Sequence, residues 1–180
     1  MSDAARDLPL LEVRGLKKNF PVHTGLFRRD RYEVKAVNDV SFSIRRGETL
    51  GVVGESGCGK TTMGRTILRL TKPSSGSVIF DGVDVATLER SALRKMRRRM
   101  QVVFQDPFSS LNPRMTVGAA VKEGMLIHNI AKGVEADRRV AVLFEEVGLN
   151  PAYASRYPHE FSGGQRQRIG VARALSVEPE

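Results

Sequence analysis

An α/β fold is predicted by three observations on this chain of 180 residues. Short apolar runs of strand type pass through turn signals into stretches whose apolar residues recur at helical spacing. Residues 54–62 read Gly-Glu-Ser-Gly-Cys-Gly-Lys-Thr-Thr, which fits the phosphate-binding pattern G-x-x-x-x-G-K-[ST] with Gly54, Gly59, Lys60 and Thr61 in its fixed places. From Asp106 onward the texture becomes helical. Hydrophobic content of 41% with 27% charged residues is that of an ordinary globular chain with a real core, so disorder is excluded.

Leu10–Arg14 and Val40–Ile44 read as half-buried strands of an antiparallel layer, the second ending at the turn Arg46-Gly47-Glu48. Between them, Pro21 to Lys35 is a polar, basic insert containing Gly25, expected as a surface loop or hairpin extension. Thr49–Val53 is a short apolar run of strand type, and Met63, Ile67 and Leu70 mark a helix from Lys60 to Leu70. Pro73-Ser74-Ser75-Gly76 makes a turn, Ser77–Phe80 a strand, and Asp81-Gly82 a tight hairpin turn. A short helix from Ser91 to Arg98 leads into a strand over Met100–Phe104 that ends at Gln105. Helical patterns follow over Thr116–Ile130 and Val134–Val147, with Asn150-Pro151 as the stop. Ser162 is a natural N-cap for a basic amphipathic helix running to about Ser176. The implied division is a nucleotide-binding core with its antiparallel layer over 1–105, a helical subdomain over 106–162, and a final helix over 163–180.

The glycine-rich loop sits between a predicted strand and a predicted helix, where its chemistry requires it. Its glycines allow backbone N–H groups to curl around an anion, the helix N-terminus adds partial positive charge, and the Lys60 ammonium can reach the outer phosphates. Thr61 is placed to offer its hydroxyl to a magnesium ion. Ser162-Gly163-Gly164-Gln165 repeats the device, because a capped helix start with two glycines leaves N–H groups for a second phosphate-sized anion. Cys58 lies within the first loop, where a small side chain suffices.

The single cysteine excludes a disulfide framework and agrees with a reducing compartment. No apolar run approaches the roughly 18 residues that cross a bilayer, and Met1 to Asp7 carries acids rather than a signal-peptide pattern, which points to the cytoplasm. The net charge of +9 is concentrated in Arg28, Arg29 and Arg31, and in Arg90, Arg94, Lys95, Arg97, Arg98 and Arg99. No aromatic residues interleave with these clusters, so a single-strand nucleic-acid platform is not indicated. A solvated helix face or a surface close to a membrane accounts for the second cluster.

With Gly54 to Thr62, Gln105 and Ser162 to Gln165 in this order, the chain resembles the ATP-binding subunit of an ABC transporter over nearly its whole length. Gln105-Asp106-Pro107-Phe108-Ser109-Ser110-Leu111-Asn112-Pro113-Arg114 and Tyr157-Pro158-His159-Glu160-Phe161-Ser162-Gly163-Gly164-Gln165-Arg166-Gln167-Arg168 resemble the dipeptide and oligopeptide importer branch, as does the insert after Phe20. The resemblance implies a P-loop NTPase with a RecA-like parallel sheet core, an antiparallel β layer and a helical subdomain. It implies that Phe20 stacks on adenine, that Gly54, Glu55, Ser56, Gly57, Cys58, Gly59, Lys60, Thr61 and Thr62 hold the phosphates of ATP, and that Thr61 and Gln105 approach Mg2+. Lys60 and Gln105 take catalytic roles in this picture. Ser162, Gly163, Gly164 and Gln165 resemble the signature motif that meets the ATP of another subunit. Phe161 stands where the family usually has leucine.

The family pattern continues with an apolar strand ending in Asp-Glu and with a later histidine, and neither is matched here. His23, His128 and His159 precede or flank the signature and are expected to be surface or local structural residues. The fold is therefore expected to be truncated before the Walker B strand, and this chain alone to be inactive. The implied function is the energy-coupling subunit of a peptide-type importer, peripheral on the inner face of the membrane. Its implied partners are transmembrane permease subunits, a second ATP-binding subunit and, indirectly, an extracytoplasmic substrate-binding protein. The alternatives are an ABC-type ATPase acting on nucleic acid or ribosomes, and an inactive remnant.

Overall fold

The computed structural model describes residues 8–24, 30–106 and 110–180. The chain divides into two units, Met1–Leu93 and Arg94–Glu180. Gly25, Arg28 and Arg29, the acids before Leu8, and Pro107, Phe108 and Ser109 lie outside the described residues.

The first unit is built on a sheet of β1 (Leu11–Thr24), β2 (Asp30–Ile44), β3 (Ser75–Phe80) and β4 (Val83–Asp84) in the order β2-β1-β3-β4. Every pair in it is antiparallel. The insert after Phe20 is thus a hairpin extension, with Val22 opposite Tyr32 and Phe20 opposite Val34. Val13 and Leu16 are both buried although three apart in a strand of period two. A register shift between them restores the alternation, and Gly15 supplies its left-handed backbone at φ 53. Asp81 and Gly82 both have positive φ, 49 and 78, as a two-residue hairpin turn of this hand requires. Helix α1 (Lys60–Ile67) packs on β1 and β2 and buries Thr66 and Ile67.

The expected strand Thr49–Val53 does not form: it pairs with no strand among the described residues, and Val53 is 93% exposed. Met100–Phe104 likewise takes no strand pairing. Both runs have strand composition, yet a strand is completed only by a neighbour that accepts its hydrogen bonds. The described sheet is accordingly the antiparallel layer alone.

Helix α2 (Arg90–Arg99) carries the chain into the second unit. There α3 (Val117–Ile127), α4 (Gly133–Glu146) and α5 (Gly163–Leu175) enclose a core of Val117, Val121, Met125, Val140, Phe144, Phe161 and Ile169, among others. Side chains cap several of the starts, though not that of α4, where Lys132 makes no such bond. Thr116 Oγ1 accepts from the Ala119 amide at 3.3 Å, and Asn150 Oδ1 accepts from Ala152 at 2.9 Å ahead of a 3-10 turn over Pro151–Ser155. A second 3-10 turn, Pro158–Glu160, leads to α5.

The basic cluster on α2 is partly consumed internally. Arg98 donates to the Val177 carbonyl at 3.2 Å and faces Glu178 at 3.6 Å, while Arg99 Nε meets Glu180 at 2.6 Å. Arg90, Arg94 and Lys95 are exposed, with Arg94 Nη2 donating to the Ile127 carbonyl at 3.4 Å.

Candidate functional site

The loop before α1 is exposed, as a ligand cradle must be, and its shape follows from local backbone chemistry. Gly59, at φ 103, is the N-cap of α1, and its carbonyl accepts from Met63 at 2.8 Å. A Cβ at position 59 would collide with the backbone carbonyl of Ala36 on β2. Only glycine fits both constraints, and the loop is thereby seated against the sheet. The Lys60 ammonium turns back into the loop and donates to the carbonyls of Gly54 and Glu55, each at 2.7 Å, with Cys58 Sγ at 3.6 Å. The Cys58 amide donates to the Glu55 carbonyl at 3.3 Å. A charged group is thus held in the concavity above the first turn of α1, where helix N–H groups have no intrahelical acceptor.

A cavity of about 320 Å³ adjoins this loop, lined by Ala36, Val37, Asn38, Cys58, Gly59 and Lys60 among others. The motif pattern points to the loop but not to the β2 wall. Ala36 and Asn38 carry no motif signal, and only pairing and packing bring them there.

The loop fits a triphosphate on these observations: an exposed glycine-rich turn seated on β2, a lysine ammonium and a helix start. Magnesium is usually held by one or two protein oxygens together with substrate phosphates. The exposed Thr61 hydroxyl in the first turn of α1 is such an oxygen.

Phe20 is 41% exposed, so it is not a core residue, and it lies on the hairpin face shared with Val34. Lys18 places its ammonium 4.8 Å from the centroid of the Phe20 ring.

The second loop belongs to the second unit. Ser162 and Gln165 form a reciprocal capping box: Ser162 Oγ accepts from the Gln165 amide at 3.3 Å, and Gln165 Oε1 accepts from the Ser162 amide at 3.0 Å. That box uses the Gln165 amide, the third of the first turn, and leaves those of Gly163 and Gly164 without an intrahelical acceptor. Nothing lies within 4 Å of where a Cβ on either glycine would stand. Beneath them Phe161 is buried, meeting Tyr153 edge-on at 5.9 Å, and the Arg156 guanidinium lies 4.1 Å over the Tyr153 ring. The Arg166 Nε donates to the Phe161 carbonyl at 2.9 Å. A rigid apolar footing therefore carries an open, donor-rich loop.

Gln105 is exposed and belongs to the second unit. His159 stacks on Tyr157 at 5.9 Å. His128 follows α3 half-buried, and burial, then Arg94 and Arg98, hold its pKa below the usual histidine value. His23 lies in β1, and its side chain is outside the described residues.

Comparison with known proteins identifies the family. Residues 37–180 match the protein family described as ABC transporter. The oligopeptide transport ATP-binding protein AppF of Bacillus subtilis is 54% identical over 178 residues, which make up 98% of this chain and 54% of that protein. The glutathione import ATP-binding protein GsiA of Pectobacterium atrosepticum is 50% identical over 172 residues, 96% of this chain and 28% of that protein. The chain spans about half the length, or less, of these curated relatives. Among solved structures, it is similar to the ATP-binding cassette MJ0796 in a dimeric post-hydrolysis state bound to ADP and Pi. That likeness has a TM-score of 0.82 and 28% identity, and covers 94% of this chain and 70% of the other.

Proposed function

The chain belongs to the ABC transporter family, and on that footing we propose that it is the ATP-binding, energy-coupling part of an importer, with peptides as the substrate class. The observation that carries this reading is the Gly59–Ala36 contact together with Lys60, whose ammonium sits in the loop ahead of α1. Its relatives are named for oligopeptide and glutathione import, which supports peptides.

Bound ATP with Mg2+ supplies the phosphoryl group whose transfer to water releases the energy for transport. Lys60 exchanges its two loop carbonyls for phosphate oxygens, and the first-turn amides of α1 orient those oxygens. Thr61 holds the metal. Phe20 offers an exposed ring face to the base. Gln105 approaches metal and water. Ser162, Gly163, Gly164 and Gln165 present donors to the nucleotide of a second ATP-binding subunit, so each subunit carries two half-sites.

Permease subunits in the membrane are the partners this role requires, with a substrate-binding protein acting through them. No helix among the described residues is long and apolar enough to cross a membrane; the peripheral place on the inner face is part of the proposal and rests on the permease partnership. These 180 residues alone are expected to bind ATP without turning it over, since none of them matches the glutamate that orients the attacking water. Turnover above a Lys60→Ala control overturns that point.

The test of binding is a thermal shift with magnesium ATP, since a ligand selective for the folded state raises the unfolding midpoint. The shift is expected for the unaltered chain and is expected to vanish in Lys60→Ala. Equal shifts in both would remove the assignment. A nucleic-acid role is disfavoured by the engagement of Arg98 and Arg99 with Glu178 and Glu180.

A further inference from the structure

Helix α4 ends against a local rule. The C-terminus of a helix carries partial negative charge and favours cations, yet the last turn of α4 holds no basic residue and carries Glu145 and Glu146. Among the described residues, the Glu146 carboxylate has no hydrogen-bond or ion-pair partner to offset it. Nearer the start of the same helix, the Arg138 guanidinium is equally without one.

Both side chains line a cavity of about 400 Å³ that lies within the second unit. Its apolar wall is made by Met125 of α3, Val142 and Leu143 of α4, and Leu175 at the end of α5. Val142 and Leu175 are 48% and 40% exposed, so the wall is open to a ligand. Arg139 is here too, but its Nε meets Glu135 at 3.0 Å and its Nη1 meets Glu178 at 2.7 Å. The cavity therefore offers one free cation and one free anion.

A polyanion such as a nucleotide would find one unspent guanidinium among the carboxylates of Glu135, Glu146 and Glu178, and a polycation would meet Arg138. A ligand with separated charges of both signs satisfies both groups. Eight residues of helix separate Arg138 from Glu146, about 12 Å along the axis. The ammonium and carboxylate of a free amino acid share one carbon and do not span it. An extended peptide advances about 3.3–3.6 Å per residue, so three or four residues do. The apolar wall between the two charges suits aliphatic side chains in the middle of such a peptide, and the volume is that of a small-ligand pocket.

We infer that this cavity binds a short peptide with free termini, its carboxylate on Arg138 and its ammonium on Glu146 at the negative end of α4. The helix dipole favours this direction over the reverse. Under the importer reading the ligand has the chemistry of the cargo, and the cavity lets the ATP-binding part sense peptide already delivered. That use rests on the importer reading; the binding does not.

Equilibrium dialysis of the full chain against the tripeptide Ala-Leu-Ala tests it. The tripeptide is expected to bind at one per chain, and free leucine is not. Arg138→Met and Glu146→Gln, both at exposed positions, are each expected to weaken binding about tenfold or more. Blocked peptides probe the same contacts on the unaltered chain, where C-terminal amidation and N-terminal acetylation should each cost as much. The amidated peptide is then indifferent to Arg138→Met, and the acetylated one to Glu146→Gln, because each has already lost that contact. No binding of Ala-Leu-Ala overturns the inference. Equal binding of the doubly blocked peptide also overturns it, and leaves an apolar seat only. A chain that binds the tripeptide but shows no thermal shift with magnesium ATP keeps this site and loses the importer reading; the opposite result loses the site alone.

Discussion

The carbonyl oxygen of Ala36 occupies the space that a Cβ on Gly59 would need. Gly59 also has φ 103, a backbone conformation unfavourable to every other residue. Position 59 is therefore constrained twice, by torsion and by the neighbouring strand. Gly59→Ala is expected to destabilise the first unit by about 1–3 kcal/mol or more and to abolish the thermal shift with magnesium ATP. A urea midpoint and an ATP shift both equal to those of the unaltered chain would show that the loop is not seated on β2.

Phe161 separates packing from chemistry in the second loop. It is 4% exposed and belongs to the core of the second unit, where Tyr153 meets its edge. Phe161→Leu keeps an apolar side chain of similar reach and is expected to cost less than about 1.5 kcal/mol. Phe161→Ala leaves a cavity and is expected to cost about 3–5 kcal/mol. Denaturant unfolding followed by a probe in the second unit distinguishes the two, and equal costs would show that the ring is not packed as described.

His128 gives the second unit a pH dependence of known sign. Burial, then the charges of Arg94 and Arg98, disfavour its protonated form in the fold, and it shares a cavity with Glu123 and Arg173. Its folded pKa lies below its unfolded one, so the unfolded chain binds the proton more readily. This contribution to stability is fully present above the unfolded value near 6.5 and is lost as pH falls from there through the folded value. His128→Asn is expected to flatten the stability profile below about pH 6.5. An unchanged slope in the variant would assign the acid sensitivity to other groups.

What could be read from the sequence divides by the range of the interaction that decides it. The first loop, the Asp81-Gly82 turn and the Ser162 cap are decided within a few residues, and each is legible: the two turn residues have positive φ, and Ser162 exchanges bonds with Gln165 three positions on. The register of the long hairpin is less so, because the shift between Val13 and Leu16 depends on burial as well as on Gly15. Thr49–Val53 and Met100–Phe104 have strand composition without strand pairing, since pairing is a property of neighbours that a local pattern does not contain. The Ala36 wall of the first loop is non-local in the same way, since 23 residues separate Ala36 from Gly59 in the numbering.

The second loop allows a substitution that acts on a ligand and spares the fold. Nothing lies within 4 Å of a Cβ on Gly164, and the capping box that holds the turn uses Ser162 and Gln165 instead. Gly164→Asp therefore changes the charge above the first-turn amides with little cost in packing. Under the proposed arrangement of two half-sites per subunit, the phosphate held at Lys60 of one subunit meets Ser162 and Gly164 of another, and the same contact recurs with the subunits exchanged, as in the isologous interface of a symmetric dimer. A carboxylate placed against phosphate oxygens with little solvent between them is strongly repelled. At the relatives' full length, and with hydrolysis blocked, Gly164→Asp is expected to bind ATP as the unaltered subunit does and to lose ATP-dependent dimerisation. Ser162→Ala, by contrast, removes a cap worth about 1 kcal/mol and is expected to lower stability as well. Light scattering with magnesium ATP reads the dimer, and unfolding midpoints read the cap. If Gly164→Asp dimerises with ATP like the unaltered subunit, the role given to Ser162 through Gln165 is wrong, whatever the stability of either variant.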